Sequence, residues 1–274
     1  MTVTDISAAD LDALKDFRPQ LIALDLDDTL LPHTGVVPHA AVDAIARVQE
    51  LGVMVVAATG RSFGTTIPVC QAAGMMDWAV CSNGALLASV DPEAIVETIA
   101  FDPSELLSVI ERRVPNGLYA VEDVNGVFRT NRIFQHSALT EGIREVSFEE
   151  LSEEPVIRVV VRSDEHMDEG LGHLAEELGL HSVVFGVAET AWLDIGPQGV
   201  SKATMLARLC ERLGIDPAET LAIGDSMNDA AMLEWAGMGV LMGHALPGMR
   251  QHANVLTSPE PGYGVADALN ALQF

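Results

Sequence analysis

An α/β protein is the fold class this sequence predicts: a doubly wound, Rossmann-like parallel sheet with an inserted α+β domain. At both ends of the chain, over 21–82 and again from Gly199 onward, short apolar runs alternate with amphipathic segments of helical period. That alternation is the pattern of βαβ units and a parallel sheet. Between these ends the pattern changes to paired short β runs beside a few helices, which reads as an antiparallel α+β layer. Two acidic clusters, Asp25-Leu26-Asp27-Asp28-Thr29 and Gly224-Asp225-Ser226-Met227-Asn228-Asp229, each follow an apolar run directly, the place where open parallel sheets carry their chemistry.

Taken in order, the first half of the sheet is expected as strand 21–27, helix 38–51, strand 53–57, helix 62–73 and strand 78–82. The second half is expected as a helix ending at Leu213, strand 220–223, helix 228–235, strand 239–242, a helix over about 246–251, a short strand near Val255 and a last helix to Leu272. The insertion reads as strands 85–90, 94–100, 118–122, 126–130, 156–161, 182–186 and 191–195, with helices at 104–113 and 165–178. Its joints, Asn83-Gly84-Ala85 and Gly196-Pro197-Gln198-Gly199, have hinge-like turn chemistry. The core is therefore expected over 1–84 and 197–274, and a lid over 85–196. The acidic run 148–154 reads as a solvated loop.

Composition narrows the function classes. With 49% apolar residues in 274 and a mean hydropathy of +0.25, the chain can bury a full core. No apolar run approaches the roughly 20 residues of a membrane span. The opening segment 1–18 mixes charges among Ala and Leu, unlike a signal peptide, so a cytoplasmic protein is expected. Cys70, Cys81 and Cys210 lack CxxC spacing and read as small buried apolar residues rather than a disulfide framework or zinc site. A formal net charge of −25 argues against nucleic acid or an anionic membrane as partner. It also leaves an anionic substrate in need of local cations, and the chain has only two lysines against thirteen arginines. Lys15 reads as a solvated surface residue. Lys202 opens a strongly periodic helix, where peptide dipoles favour anions; a phosphate ligand and a solvated helix cap are both open readings.

Asp25 and Asp27 are two residues apart, so in a regular strand they would face one reacting group together. Aspartate suits phosphoryl acceptance, because a loose transition state needs alignment and charge neutralisation more than a strong base. Asp225 and Asp229 offer the hard oxygen donors that suit Mg²⁺, although Asp225 and Asn228 could instead cap the following helix. Thr59-Gly60-Arg61 combines a hydroxyl, a permissive amide and a cation at a helix start, forming either a small anion cradle or a cap beside a surface arginine.

In order and strand placement, Asp25-Leu26-Asp27-Asp28-Thr29, Thr59-Gly60-Arg61, Lys202 and Gly224-Asp225-Ser226-Met227-Asn228-Asp229 resemble the four motifs of the haloacid dehalogenase-like (HAD) superfamily of phosphatases. Ser82-Asn83-Gly84-Ala85 and an insertion of roughly 110 residues make the chain similar to the Cof-type subfamily IIB, with its large C2-type α/β cap. The resemblance implies that Asp25 attacks phosphorus to give an aspartyl-phosphate and that Asp27 acts as acid and base. It implies that Thr59 and Lys202 hold the phosphoryl oxygens, with Gly60, Arg61 and Asn83 as further substrate contacts. Mg²⁺ would be held by Asp25, the Asp27 backbone carbonyl and Asp225, supported by Asp229 and Asn228. The implied activity is hydrolysis of small phosphorylated metabolites, sugar phosphates foremost, beneath a closing cap; nucleotides and flavin mononucleotide stay open, as does oligomeric state. A phosphomutase, or a metabolite-binding protein without turnover, is the alternative. Two positions depart from the common pattern: His244 stands where relatives often have Asn, and Asp28 where glycine is frequent.

Overall fold

Leu21–Leu24, the strand that precedes the first acidic cluster, is wholly buried, with Leu21, Ile22 and Leu24 each contributing roughly 1.5–3 kcal/mol of hydrophobic stabilisation. The computed structural model in which it lies describes residues 11–115, 117–132, 143–163, 181–187 and 190–273. The elements of the first half are β1 (Leu21–Leu24), α1 (His39–Glu50), β2 (Met54–Ala58), α2 (Phe63–Ala73), β3 (Trp78–Cys81), β4 (Leu86–Ser89) and β5 (Ala94–Thr98). Next come α3 (Ser104–Arg113), β6 (Leu118–Asp123), β7 (Phe128–Thr130), β8 (Arg144–Glu145), β9 (Val156–Ser163), β10 (His181–Val187) and β11 (Thr190–Gly196). The chain ends with α4 (Lys202–Leu213), β12 (Thr220–Gly224), α5 (Ala230–Trp235), β13 (Met238–Leu241), β14 (Val255–Leu256) and α6 (Tyr263–Ala271).

Two units result, one of 1–96 with 201–274 and one of 97–200. In the first, eight strands are ordered β14-β13-β12-β1-β2-β3-β4-β5. Pairing is parallel from β14 through β3, and β4 runs antiparallel to β3. β1 is flanked by β2, its successor in sequence, and by β12 from the far end of the chain, so strand order reverses there. Leu24 lies opposite both Ile223 and Ala57, which brings the carboxyl ends of β1, β12 and β2 level at this switch point, the preferred ligand site of such sheets. The continuous apolar character of these strands follows from helices covering a parallel sheet. In α1, Ala41, Ala44, Ile45 and Val48 form the buried stripe, and Arg47 ties the helix to α6 through the Leu269 carbonyl. α4 is capped at its start by Ser201, whose hydroxyl accepts from the Thr204 amide at 3.3 Å, and at its end by left-handed Gly214.

The second unit is a six-stranded sheet ordered β10-β11-β9-β6-β7-β8, antiparallel except for the β7–β8 pair. Alternate residues go to opposite faces. Tyr119, Val121, Val159, Val161, Leu193 and Ile195 pack with Leu106, Leu107 and Ile110 of α3. A second cluster has Ala120, Phe128 and Val160. Arg158 is buried between two carboxylates, with Nη2 2.8 Å from Glu122 Oε2 and Nη1 3.0 Å from Asp194 Oδ2.

Several expectations change. β4 and β5 belong to the core sheet, so the first joint falls after Val96 rather than at 85, because pairing to β3 outweighs the turn chemistry of Asn83-Gly84. The second joint falls between Val200 and Ser201. The segment near 246–251 is a 3-10 helix, Pro247–His252. The acidic run is only partly a solvated loop, since Glu149–Ser152 form a 3-10 turn that buries Leu151. The expected helix at 165–178 lies outside the described residues, as do the first ten positions of the opening segment. All three cysteines are buried thiols outside any disulfide among the described residues; burial pushes the Cys70 thiol up to about 12, leaving it unreactive.

Candidate active site

Asp25 follows β1 directly, and its amide donates to the Ile223 carbonyl of β12 at 2.9 Å. Its carboxylate is buried against Lys202, whose Nζ donates to Asp25 Oδ1 at 2.5 Å and to Asp229 Oδ1 at 2.6 Å. Lys202 is itself completely buried. The solvated-cap reading of this lysine is thereby excluded: the first residue of α4 points its ammonium into the carboxylate cluster at the sheet's switch point. Gly84 permits this approach, because a Cβ there would lie 2.0 Å from the Ser201 carbonyl oxygen.

The other wall comes from the loop after β12. Asp229 Oδ2 accepts from the amides of Asp225 and Ser226, both at 3.0 Å, while Ser226 caps the turn in return. Both Asp229 oxygens are thus engaged, which makes this residue an anchor for the loop and for Lys202. A Cβ on Gly224 would lie 2.5 Å from the Asp229 side chain, so glycine is required there. Capping of this turn falls to Ser226 and Asp229 rather than to Asp225 and Asn228. Asp225 stays turned toward the site, and its Oδ1 accepts from the Thr29 hydroxyl at 3.1 Å. Thr29 and Ser226 were not singled out from sequence, since their roles depend on contacts between loops distant in the chain; their only sequence signal is membership of the two acidic clusters.

Asp27 departs from the sequence expectation. β1 ends at Leu24, and buried Leu26 starts a tight turn in which the amides of Thr29, Leu30 and Leu31 donate to the Leu26 carbonyl and Asp28 takes a φ of 60°. Asp25 and Asp27 are therefore not successive same-face positions of a strand. The Asp27 carboxylate is half exposed and held by Arg61 in a bidentate pair, Nε to Oδ2 at 2.8 Å and Nη2 to Oδ1 at 2.6 Å. Thr59 follows β2 and does not cap α2, whose N-cap is Ser62; its hydroxyl accepts from the Arg61 amide at 3.1 Å. Gly60 passes close to Asn83, and the Asn83 amide oxygen accepts from Asn228 Nδ2 at 3.1 Å. The loops after β2, β3 and β12 are thereby linked. Asp28, Ser82 and Asn83 are the described non-glycine residues with left-handed backbones, and such conformations concentrate at functional sites.

Burial raises the Asp25 pKa well above the ordinary carboxylate value, with Asp229 adding to the rise and Lys202 opposing it. Burial and Asp229 also push Asp225 up to about 6. For Lys202 burial opposes the charged form, but Asp229 and Asp25 outweigh it and raise the pKa. The Asp27 bond raises that of Arg61. Asp25, Asp225 and Asp229 each present an oxygen within 4.8 Å of the others. With Lys202 as their one direct ammonium partner, three carboxylates and one cation leave a formal charge of −2, and a hard divalent ion fits that excess.

Residues 22–269 match the family model of haloacid dehalogenase-like hydrolases. The chain is 28% identical over 267 residues to pyridoxal phosphate phosphatase YbhA of Escherichia coli (strain K12), covering 86% of this chain and 92% of the relative. It is 26% identical over 258 residues to 5-amino-6-(5-phospho-D-ribitylamino)uracil phosphatase YcsE of Bacillus subtilis (strain 168), covering 93% and 96%. A solved structure, BT1666 from Bacteroides thetaiotaomicron, described among the phosphatases of the haloalkanoate (HAD) enzyme superfamily, superposes with a TM-score of 0.77 at 25% identity, covering 92% of this chain and 94% of that one. With its four motifs gathered at the switch point of the sheet and nearly its whole length matched, the chain belongs to the haloacid dehalogenase-like hydrolases.

Proposed function

We propose that this hydrolase is a Mg²⁺-dependent phosphatase of small phosphorylated metabolites, with sugar phosphates the leading class, working through an aspartyl-phosphate on Asp25. The observation that carries the reading is the buried Asp25 carboxylate at the end of β1, held by the Lys202 ammonium beside Asp225 and Asp229. Substrates of the two curated relatives are also phosphate esters of small molecules, which supports the class.

In the first step an Asp25 oxygen bonds to phosphorus as the bond to the ester oxygen breaks, and Asp27, protonated from solvent once Arg61 releases it, gives that proton to the departing alkoxide. In the second, water attacks the phosphoryl group, Asp27 takes a proton from that water, and the Asp25–phosphorus bond breaks to release inorganic phosphate. Lys202 and Thr59 neutralise and orient the phosphoryl oxygens, in line with the demands of a loose transition state. Gly60 lets the loop approach the substrate, while Asn83 and Asn228 brace it. Arg61 is committed to Asp27 in the structure; an incoming dianion competes for the same guanidinium and frees Asp27 for proton transfer. Asp25, the Asp27 backbone carbonyl and Asp225 would hold Mg²⁺, with Asp229 and Asn228 fixing the loop behind them. When bound, the ion supplies neutralisation of the phosphate charge that this acidic site would otherwise repel. The unit 97–200 is proposed as the specificity lid, and the cytoplasm as the site of action. Among the described residues no helix is long and apolar enough to cross a membrane.

The test is inorganic phosphate release from sugar phosphates, nucleotides, pyridoxal phosphate and p-nitrophenyl phosphate, with Mg²⁺ or EDTA. Release by the wild type that requires Mg²⁺ and is lost in Asp25→Asn is expected. Folded protein with no release across the panel, but with isomer interconversion of a sugar phosphate, would replace hydrolysis by a mutase reaction.

A further inference from the structure

His244 lies in the loop after β13, with its side chain one-third exposed. Its Nδ1 is 2.6 Å from the Pro259 carbonyl oxygen. A carbonyl only accepts, so Nδ1 carries the hydrogen, and the neutral ring then has a bare lone pair on Nε2. That lone pair is 3.6 Å from Asp225 Oδ2. The other Asp225 oxygen is already occupied by the Thr29 hydroxyl, and Oδ2 has no hydrogen bond among the described residues. With the ring neutral, Nε2 and Oδ2 are two acceptors facing one another, complementary to a cation or to a donor that a cation supplies. His244 is not among the side chains whose ligand atoms converge within 4.8 Å, Asp25, Asp225 and Asp229, so its place is beside the ion rather than among the direct ligands. Mg²⁺ in carboxylate sites keeps several of its waters, each a polarised O–H donor.

We propose that His244, oriented by Pro259, accepts a hydrogen bond through Nε2 from a water on the ion held at Asp225, and thereby strengthens divalent-ion binding. This rests on the metal assignment made above. Partners of this kind typically change metal affinity by about 10- to 100-fold.

Two substitutions separate this role from a loop anchor. Asn at 244 reproduces the Nδ1 donor toward Pro259 and has nothing at the Nε2 position. Gln at 244 places its amide oxygen near Nε2 but gives up the Pro259 bond. Mg²⁺ and Mn²⁺ affinities are measured calorimetrically on the full chain at pH 8, with thermal unfolding in EDTA as the check of folding. His244→Asn is expected to bind both ions roughly 10-fold more weakly, and His244→Gln to remain nearer the wild type. The reverse ranking would show a loop anchor and overturn the proposal. Unchanged or tighter binding by His244→Asn would also overturn it, the latter because it would mean an imidazolium competing with the ion for Asp225. Asp225→Asn serves as the control: wild type whose Mg²⁺ heat is absent or unaffected by Asp225→Asn would overturn the metal assignment itself, an outcome distinct from failure at His244 alone.

Discussion

At the scale of single residues the site is electrostatically unstable by construction, and the strain is borne by carboxylates. Burial and the Asp229 charge push Asp225 up to about 6, so its ionised form is disfavoured in the folded protein without a cation. Asp225→Asn is therefore expected to raise the melting temperature measured in EDTA, as at many sites where function opposes stability. The same variant should lose the stabilisation that Mg²⁺ gives the wild type by mass action. A variant that melts lower in EDTA would show that the Asp225–Thr29 bond outweighs the repulsion. Lys202 shows why residue type and spacing are only part of the signal: it is one of two lysines in the chain, but its burial follows from contacts with positions 25 and 229.

At the scale of elements, the carboxyl ends of β1, β12 and β2 set where chemistry can occur, and close backbone approaches set how well it is held. Gly84, at φ 98°, lets the turn after β3 meet the start of α4. Gly84→Ala should lose about 1–3 kcal/mol from backbone strain and shift α4 enough to lower kcat. Chemical denaturation and steady-state kinetics would check this; wild-type values for both would mean that α4 is positioned by its other contacts. In the second unit the buried Arg158 lies between β6 and β11 acidic residues, and burial raises the Asp194 pKa even against its pairing with Arg158. Arg158→Met should cost about 3–5 kcal/mol, since removing one partner leaves buried charge without compensation. Urea unfolding followed by circular dichroism would measure it, and a loss below about 1 kcal/mol would mean water reaches the cluster.

At the scale of the whole molecule, the chain's charge of −25 opposes the approach of an anionic substrate. Salt screens that repulsion within a Debye length of about 8–10 Å near physiological strength. KM for a dianionic phosphomonoester should therefore fall as KCl rises from about 10 to about 150 mM at fixed free Mg²⁺. A KM that climbs steadily over that range would mean that the local cations Lys202 and Arg61, and not the global field, govern encounter.

The residue pattern alone specifies the parallel-sheet core, because apolar runs such as 21–24, 54–58 and 221–223 alternate with helical stripes such as Ala41, Ala44, Ile45 and Val48. It also located the acidic clusters at strand ends, since local pattern controls both features. What it did not contain was register and loop geometry. The extension of β1 to 27 was wrong because the Leu26 turn depends on three amides closing on one carbonyl. The joint at 85 was wrong because β4 is recruited by β3 across the sheet. The Asp27–Arg61 pair, the Thr29–Asp225 bond and the His244–Pro259 contact join residues 34, 196 and 15 positions apart. Such pairs exist only once the chain has folded, because their distance is set by how the strands are ordered and not by any preference of the residues concerned.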